Sequence, residues 1–416
     1  MNIFNLNRDK ILYFFLLFLE KASVLVFHFY FINIIAQEFY GIFSQSNYIS
    51  GILSNILLFG VAIPFVINSS SKNNYQDELF MFFKNLSLIV SVLLIIFIIT
   101  FGNFFSDLIF GNSKYKIYLF VLGFLIISDL VSEYFNLFNR IRSRLITHSK
   151  FIFFRSLVKI ISLIITYIIF EDFLLAYLIS SVSYILFVLI YSKKSIGLIS
   201  FNSINLSYFR KTSVKSLFRD GMNFLTLFLL NTFSTLLINL ILVNQFDVET
   251  LAVYSFNMML ASVPISILSY ITFYSLTDFS NNYNIDKNMS NKIIIKDAGF
   301  SLITFTLSFI LIYILYDNIF STLLNDSYAN RNLFIIIFVA NLIYMINNFI
   351  QFPILSEKKY FIIISIIGLS IILNLSYLYF NINSITILTP VIGLLIANFT
   401  TLFFLLFYNL FLKYVK

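Results

Sequence analysis

Twelve times along this chain, a stretch of predominantly apolar residues runs on between short breaks rich in charge, Asn and Ser. A helix needs about 20 such residues to cross the hydrocarbon core of a bilayer. The runs fall near 11–35, 42–67, 79–101, 117–139, 151–170, 173–191, 221–246, 252–277, 298–316, 333–355, 361–380 and 385–412. Together they take up nearly all of the 416 residues, so no sizeable soluble domain is left over. Only 11% of the residues are charged, against roughly 25% in an ordinary globular domain. The expectation is an all-α polytopic membrane protein of about 12 transmembrane helices, with its function inside the bilayer.

Lys and Arg set the orientation of such a chain, because they collect in cytoplasmic loops. With the amino terminus inside, twenty basic residues lie in cytoplasmic segments, and the opposite loops hold only Lys114, Lys116 and Arg331. The loop charge therefore predicts an inner-membrane protein with both termini cytoplasmic. The first run continues into Gln37-Glu38 with no cleavage site of small residues, so it reads as an uncleaved helix. The net charge of +8 is explained by the same loops, and no nucleic-acid partner is expected. With no cysteine, disulfides, thiolate metal sites and thiol nucleophiles are excluded.

Spans in the second half start 210–219 residues after their counterparts in the first. Six helices are thus repeated once. Because six is even, both copies begin on the same side, giving a parallel repeat of the kind found in secondary transporters. The expected organisation is a lobe over 1–191, a basic cytoplasmic linker over 192–220 and a second lobe over 221–416.

An ionisable side chain inside a span is costly unless it faces a cavity or a partner, so such residues are the natural candidates for function. The first helix carries Glu20, Lys21 and His28. Lys21 and His28 are seven apart and share a face, whereas adjacent Glu20 and Lys21 point apart and are not expected to pair. The fourth helix places Asp129, Glu133, Asn136 and Arg140 along one stripe, and the fifth places Arg155, Lys159, Ser162 and Thr166 likewise. If the two meet antiparallel, Lys159 falls level with Asp129 and Glu133, and Arg155 lies just beyond Glu133. This is either an ion-pair ladder pinning two helices or the wall of a charged cavity. Lys84 is expected to snorkel to the headgroups. In the second lobe, Asn231, Thr235 and Asn239, and Asn341, Tyr344, Asn348 and Gln351, form neutral polar faces that suit helix–helix hydrogen bonds. Pro64, Pro264, Pro353 and Pro390 sit in or at the ends of even-numbered spans and mark kinks. The chain has no H-E-x-x-H, GxGxxG or Gly-rich phosphate loop, so neither an enzyme, a metal site nor a cofactor is expected.

The stretch Glu38-Phe39-Tyr40-Gly41-Ile42-Phe43-Ser44, followed by a polar second helix through Gly51, Ser54 and Gly60 to Pro64, resembles the opening of bacterial polysaccharide exporters. An echo, Thr250-Leu251-Ala252-Val253-Tyr254-Ser255, stands at the matching place in the second half. With the twelve spans and the repeat, the whole chain resembles the O-antigen flippase (Wzx) branch of the multidrug/oligosaccharidyl-lipid/polysaccharide (MOP) exporter superfamily. The resemblance implies movement of an undecaprenyl-diphosphate-linked oligosaccharide repeat unit to the periplasmic leaflet by alternating access. It also implies membrane lipids and the pathway's polymerase and chain-length machinery as partners. On the residue reading, Lys21, Arg155 and Lys159 are the candidates for the diphosphate, and Glu20, Asp129 and Glu133 for ion coupling or ion pairs. The competing expectations are a drug or cation antiporter of the same superfamily and a membrane-embedded polymerase or glycosyltransferase. The last usually needs a large outer loop, and the outer loops here are short.

Overall fold

The computed structural model describes residues 8–62, 74–142, 144–196, 212–283, 287–320, 326–357 and 359–415. These residues form thirteen α-helices: α1 (Arg8–Ile34), α2 (Gln37–Leu57), α3 (Asn74–Thr100), α4 (Gly102–Phe110), α5 (Tyr118–Ile141), α6 (Leu145–Phe170), α7 (Phe173–Ile196), α8 (Thr212–Gln245), α9 (Val248–Tyr283), α10 (Lys287–Asn318), α11 (Arg331–Ser356), α12 (Tyr360–Phe380) and α13 (Leu388–Val415). No strand occurs among the described residues. A helix satisfies its own backbone groups, which hydrocarbon cannot do, so an apolar chain of this kind has little alternative.

Eleven of these helices are long and apolar enough to span a membrane. The twelfth expected span, 42–67, corresponds to α2, whose Gln45, Ser46, Asn47, Ser50 and Ser54 hold its hydropathy down. The rest of that span, 63–67, lies outside the described residues, as does Pro64. Short α4 was not foreseen, because the apolar run at 79–101 flows into it; the chain breaks at Phe101, with φ −97° and ψ 37°. Pro264 and Pro353 are inside α9 and α11, while Pro390 sits in the first turn of α13, where a missing N–H costs nothing. Of the basic linker, residues 197–211 are outside the described residues.

Acidic turns start two of the helices. Asp172 Oδ1 accepts from the Leu175 N–H at 3.0 Å ahead of α7, and Asp247 Oδ1 from the Thr250 N–H at 2.6 Å ahead of α9. Each satisfies an N–H that helix geometry leaves without a partner.

The chain divides into two compact units, Met1–Thr226 and Leu227–Lys416. In the first, α2 packs on α5, α5 on α7, α6 on α7, and α1 on α6. In the second, α9 packs on α11, α11 on α13 and α12 on α13, the same second-on-fourth, fourth-on-sixth and fifth-on-sixth pattern. The repeat extends to single hydrogen bonds. Gln45 of α2 donates to the Ile109 carbonyl at 3.1 Å, and Asn257 of α9 donates to the Tyr328 carbonyl at 3.0 Å. Both amides are buried, and both tie a unit's second helix to the segment that follows its third. Gln45→Leu and Asn257→Leu should each lower thermal stability in detergent by about 1–3 kcal/mol, the cost of a buried carbonyl left without a donor. Equal losses in the two variants would mark the sites as equivalent; a loss in only one would show that the repeat does not reach this level.

At the end of unit 1 where α1 turns into α2, Glu38 holds a clamp outside the membrane-spanning segments. The Tyr115 hydroxyl donates to Glu38 Oε1, and Lys114 Nζ lies 3.0 Å from the same oxygen. The Tyr115 hydrogen bond, more than Lys114, holds the Glu38 carboxyl below the usual range. A carboxyl depressed in the folded state contributes stability above its unfolded pKa and loses it as pH falls through the folded value. A melting-temperature profile should therefore drop on the acid side in the wild type and drop less in Glu38→Gln. The pair is partly exposed, so the difference is small.

Candidate functional site

Apart from Lys84 on α3, the intramembrane carboxylates and cations of unit 1 gather in one polar chamber where α1, α2, α5, α6 and α7 pack. Arg155 of α6 donates to the Ser132 hydroxyl and lies 3.7 Å from Glu133 Oε1 of α5. Asn136, one turn along α5, donates to the same Glu133 oxygen at 3.2 Å. Asp129 is held by two hydroxyl donors, Ser50 of α2 at 2.5 Å and Tyr184 of α7 at 2.9 Å. Lys159 donates to the amide oxygen of Asn47 at 2.5 Å and lies over the Tyr184 ring, 5.2 Å from its centre. Ser156 donates to Glu20 at 2.9 Å, tying α6 to α1.

Three details correct the sequence expectations. Glu20 and Lys21 do pair, at 3.2 Å. Their Cβ atoms diverge, but the four-carbon stem of Lys21 is long enough to bend its ammonium back to the buried carboxylate. His28, on the same face as Lys21, has its Nδ1 2.8 Å from the Tyr40 hydroxyl. The expected ladder between α5 and α6 reduces to the Arg155–Glu133 rung, because Lys159 turns to α2 and α7. Lys84, expected at the headgroups, is 4% exposed; α3 turns this side inward onto α5, where Ser87 also meets the Tyr134 hydroxyl at 2.7 Å.

Accessibility gives the chamber its character. The side chains of Arg155 and Glu133 keep 22% and 33% of their surface, while Glu20 is 5% exposed. A charge exposed at mid-span faces water rather than lipid, since lipid exposure costs several kcal/mol. This side of the unit is therefore wet. Towards the α1–α2 end the chamber is capped by aromatic side chains: His28 and Tyr177 flank Phe43, and Phe173 stacks on Phe39 with ring centres 4.8 Å apart. Sequence reasoning missed Asn47, Ser50 and Tyr184, which supply half the hydrogen bonds in the chamber. For Asn47 and Ser50 the one signal was the unusual polarity of the second span; Tyr184, in α7, had none.

The second unit is neutral. Asn231, Tyr344, Asn347, Gln351, Asn398 and Thr401 line a cavity of about 20 Å³, room for about one water molecule. Asn347 and Asn398 spend their N–H groups on the Asn398 and Ala340 carbonyls. Asn341 donates to the Ala261 carbonyl at 3.2 Å, joining α11 to α9. Among the described residues, no three His, Asp or Glu side chains come together as a metal-ligand set.

No protein-family model matches the sequence, and no curated protein does. Solved structures do match in three dimensions. A mutant of the Vibrio cholerae MATE transporter VcmN aligns over 98% of this chain and 97% of its own, with a TM-score of 0.69 at 12% identity. The chain has the MATE transporter fold. A multidrug resistance MATE family transporter of the MOP superfamily matches in its outward-facing form (TM-score 0.65, 10% identity, 98% and 96% covered). The inward-facing form matches too (0.61, 11%, 100% and 97%). The MATE fold thus accounts for nearly the whole chain, including the six-plus-six arrangement read from the span starts.

Proposed function

We propose that this chain is a secondary transporter of the MOP type, not an enzyme, and that it moves an amphipathic substrate across the bacterial inner membrane. Its two six-helix halves would alternate access, with both termini in the cytoplasm as the loop charge favours. The observation that carries this reading is the wet, charged chamber of unit 1 within a MATE fold. Charged groups exposed at mid-span have a use where a polar solute or ion must pass.

The substrate reading best supported by the solved neighbours is export of organic cations or drugs in exchange for ions. Glu20, Asp129 and Glu133 are the carboxylates that suit it. A second reading, flipping of a lipid-linked oligosaccharide with a diphosphate head, is favoured by Arg155 and Lys159, cations that no drug-cation exporter requires. The diphosphate would meet these two, with Lys21 behind them. The neutral polar faces of the second unit suit sugar hydroxyls, and the polyprenyl tail would stay in lipid. Membrane lipids and the polymerase machinery of the pathway are partners only under this second reading.

Two assays on a deletion strain decide. Raised accumulation of a cationic dye, reversed by the wild-type gene, supports the antiporter. Build-up of complete lipid-linked units with loss of surface glycan supports the flippase. Lipid-linked units that reach the periplasm but stay unpolymerised would point to a polymerase and overturn the transporter reading.

A further inference from the structure

The cations in the chamber of unit 1 are held in different ways. Lys21 lies 3.2 Å from Glu20, and Arg155 lies 3.7 Å from Glu133. Among the described residues Lys159 forms no ion pair: its ammonium donates to the amide oxygen of Asn47 and lies 5.2 Å from the centre of the Tyr184 ring. Both of those partners are neutral. Asp129 does not make up the difference by contact, because one of its oxygens accepts from Ser50 and the other from Tyr184. A half-buried ammonium with no carboxylate against it is a standing cost to the fold. An aspartate at position 47 would remove that cost with little change of shape, yet the chain carries the amide there.

The contacts of Asn47 fix which way its amide faces. Its Nδ2 donates to the Phe43 carbonyl, one turn back on α2, at 2.7 Å. Only the N–H side of an amide can meet a carbonyl in this way, so Oδ1 is left to face Lys159. An ammonium has three N–H groups, and Asn47 takes one of them. The Tyr184 ring attracts the cation through its π face but brings no full negative charge. Lys159 is thus held in place with its charge unspent, and an anion reaches it without breaking an ion pair.

We infer that Asn47 sets the charge selectivity of the chamber: by holding Lys159 through a neutral oxygen, it keeps that ammonium available to a phosphate-like group on the substrate. This rests on the anionic-substrate reading of the same site and adds the residue that decides it. Asn47 is a positioning residue and acts through Lys159. Lys21 and Arg155 offer an anion less, since each already faces a carboxylate.

The test uses the full chain in nanodiscs and radiolabelled inorganic sulfate, a tetrahedral dianion, at a single neutral pH. The wild type should bind sulfate, and Lys159→Gln should not. Asn47→Asp keeps the outline of the side chain and sets a carboxylate beside Lys159, so it should weaken binding by about tenfold or more. Asn47→Leu removes the hydrogen bond and adds no charge, so it should lose only about threefold. Size-exclusion profiles and melting curves establish that each variant is folded. A folded Asn47→Asp that binds like the wild type would overturn the inference and leave the anion site standing. So would an Asn47→Leu variant that loses as much as Lys159→Gln, because Asn47 would then act by contact or shape and not by charge; this comparison decides even where Asn47→Asp does not fold. Failure of the wild type to bind sulfate would overturn the anionic reading and the inference together.

Discussion

Arg155→Ala should abolish transport, by tenfold or more, in whichever of the dye and glycan assays the wild type scores. Two consequences follow from removing the guanidinium. Glu133 loses its cation at 3.7 Å, and the Ser132 hydroxyl loses its donor. Breaking a fully buried pair costs about 3–5 kcal/mol, because one charge is left alone. Here both side chains keep some contact with water, so the lower range of about 1–3 kcal/mol is expected, discounted for screening. The double variant Arg155→Gln, Glu133→Gln separates the two effects. With neither charge present it should regain most of the melting temperature, yet it should remain inactive. Arg155→Lys keeps the charge but loses the planar fork and should be intermediate in transport. A fully active Arg155→Ala, melting lower than the wild type, would make this residue a helix staple and nothing more.

Much of this chamber was legible in advance, and the reason is geometric. Spacings of three and four residues put Asp129, Glu133 and Asn136 on one face of α5, and Arg155 and Lys159 on one face of α6, before any packing is known. The turn between the helices then fixes which charges are level. The same reasoning failed where a side chain's destination depends on how a helix is rotated. In lipid no outward polar face marks the rotation, since the outside of the helix is as apolar as its interior. Asn47, Ser50 and Tyr184 could not be aimed for this reason. Lys84 shows the reverse error: a lysine near the end of a span snorkels only if that side faces lipid, and α3 turns it inward. The Glu20–Lys21 pair failed for a third reason, because face geometry places Cβ atoms and says little about the far end of a lysine.

The repeat was legible from span starts alone, but its depth was not. The offset between halves changes from 210 to 219 at the third span, and the paired amides show what the insertion preserves. Gln45 and Asn257 differ in side-chain length, and their acceptors, Ile109 and Tyr328, belong to segments of different form. What is kept is one buried amide holding one backbone carbonyl of the segment after the third span. A sequence comparison of Gln with Asn cannot reveal this without knowing where that carbonyl lies.

Gly60→Ala should be strongly destabilising, costing about 3 kcal/mol or more. Gly60 follows the end of α2 with φ +64°, and Phe59 before it is also left-handed at φ +52°. Two such residues in succession turn the chain sharply against the first half of α8. A Cβ on Gly60 would stand 2.0 Å from the Gly221 carbonyl oxygen and 2.7 Å from the Leu225 nitrogen. These are backbone atoms, and they cannot swing aside as the end of a side chain can. The approach is matched from the other side, where a Cβ on Gly221 would meet the Phe59 carbonyl oxygen at 2.7 Å. Gly221→Ala should therefore cost a comparable amount, and the double variant should cost less than the sum, since one displacement relieves both clashes. Gly51→Ala is the control: it lies within α2 with no atom within 4 Å of an added Cβ, and alanine's helix propensity should make it neutral or up to about 1 kcal/mol stabilising. Melting curves in detergent, with the yield of monodisperse protein, read all four. If Gly60→Ala melts with the wild type while Gly51→Ala does not, the close approach of α2 to α8 is not what holds this corner.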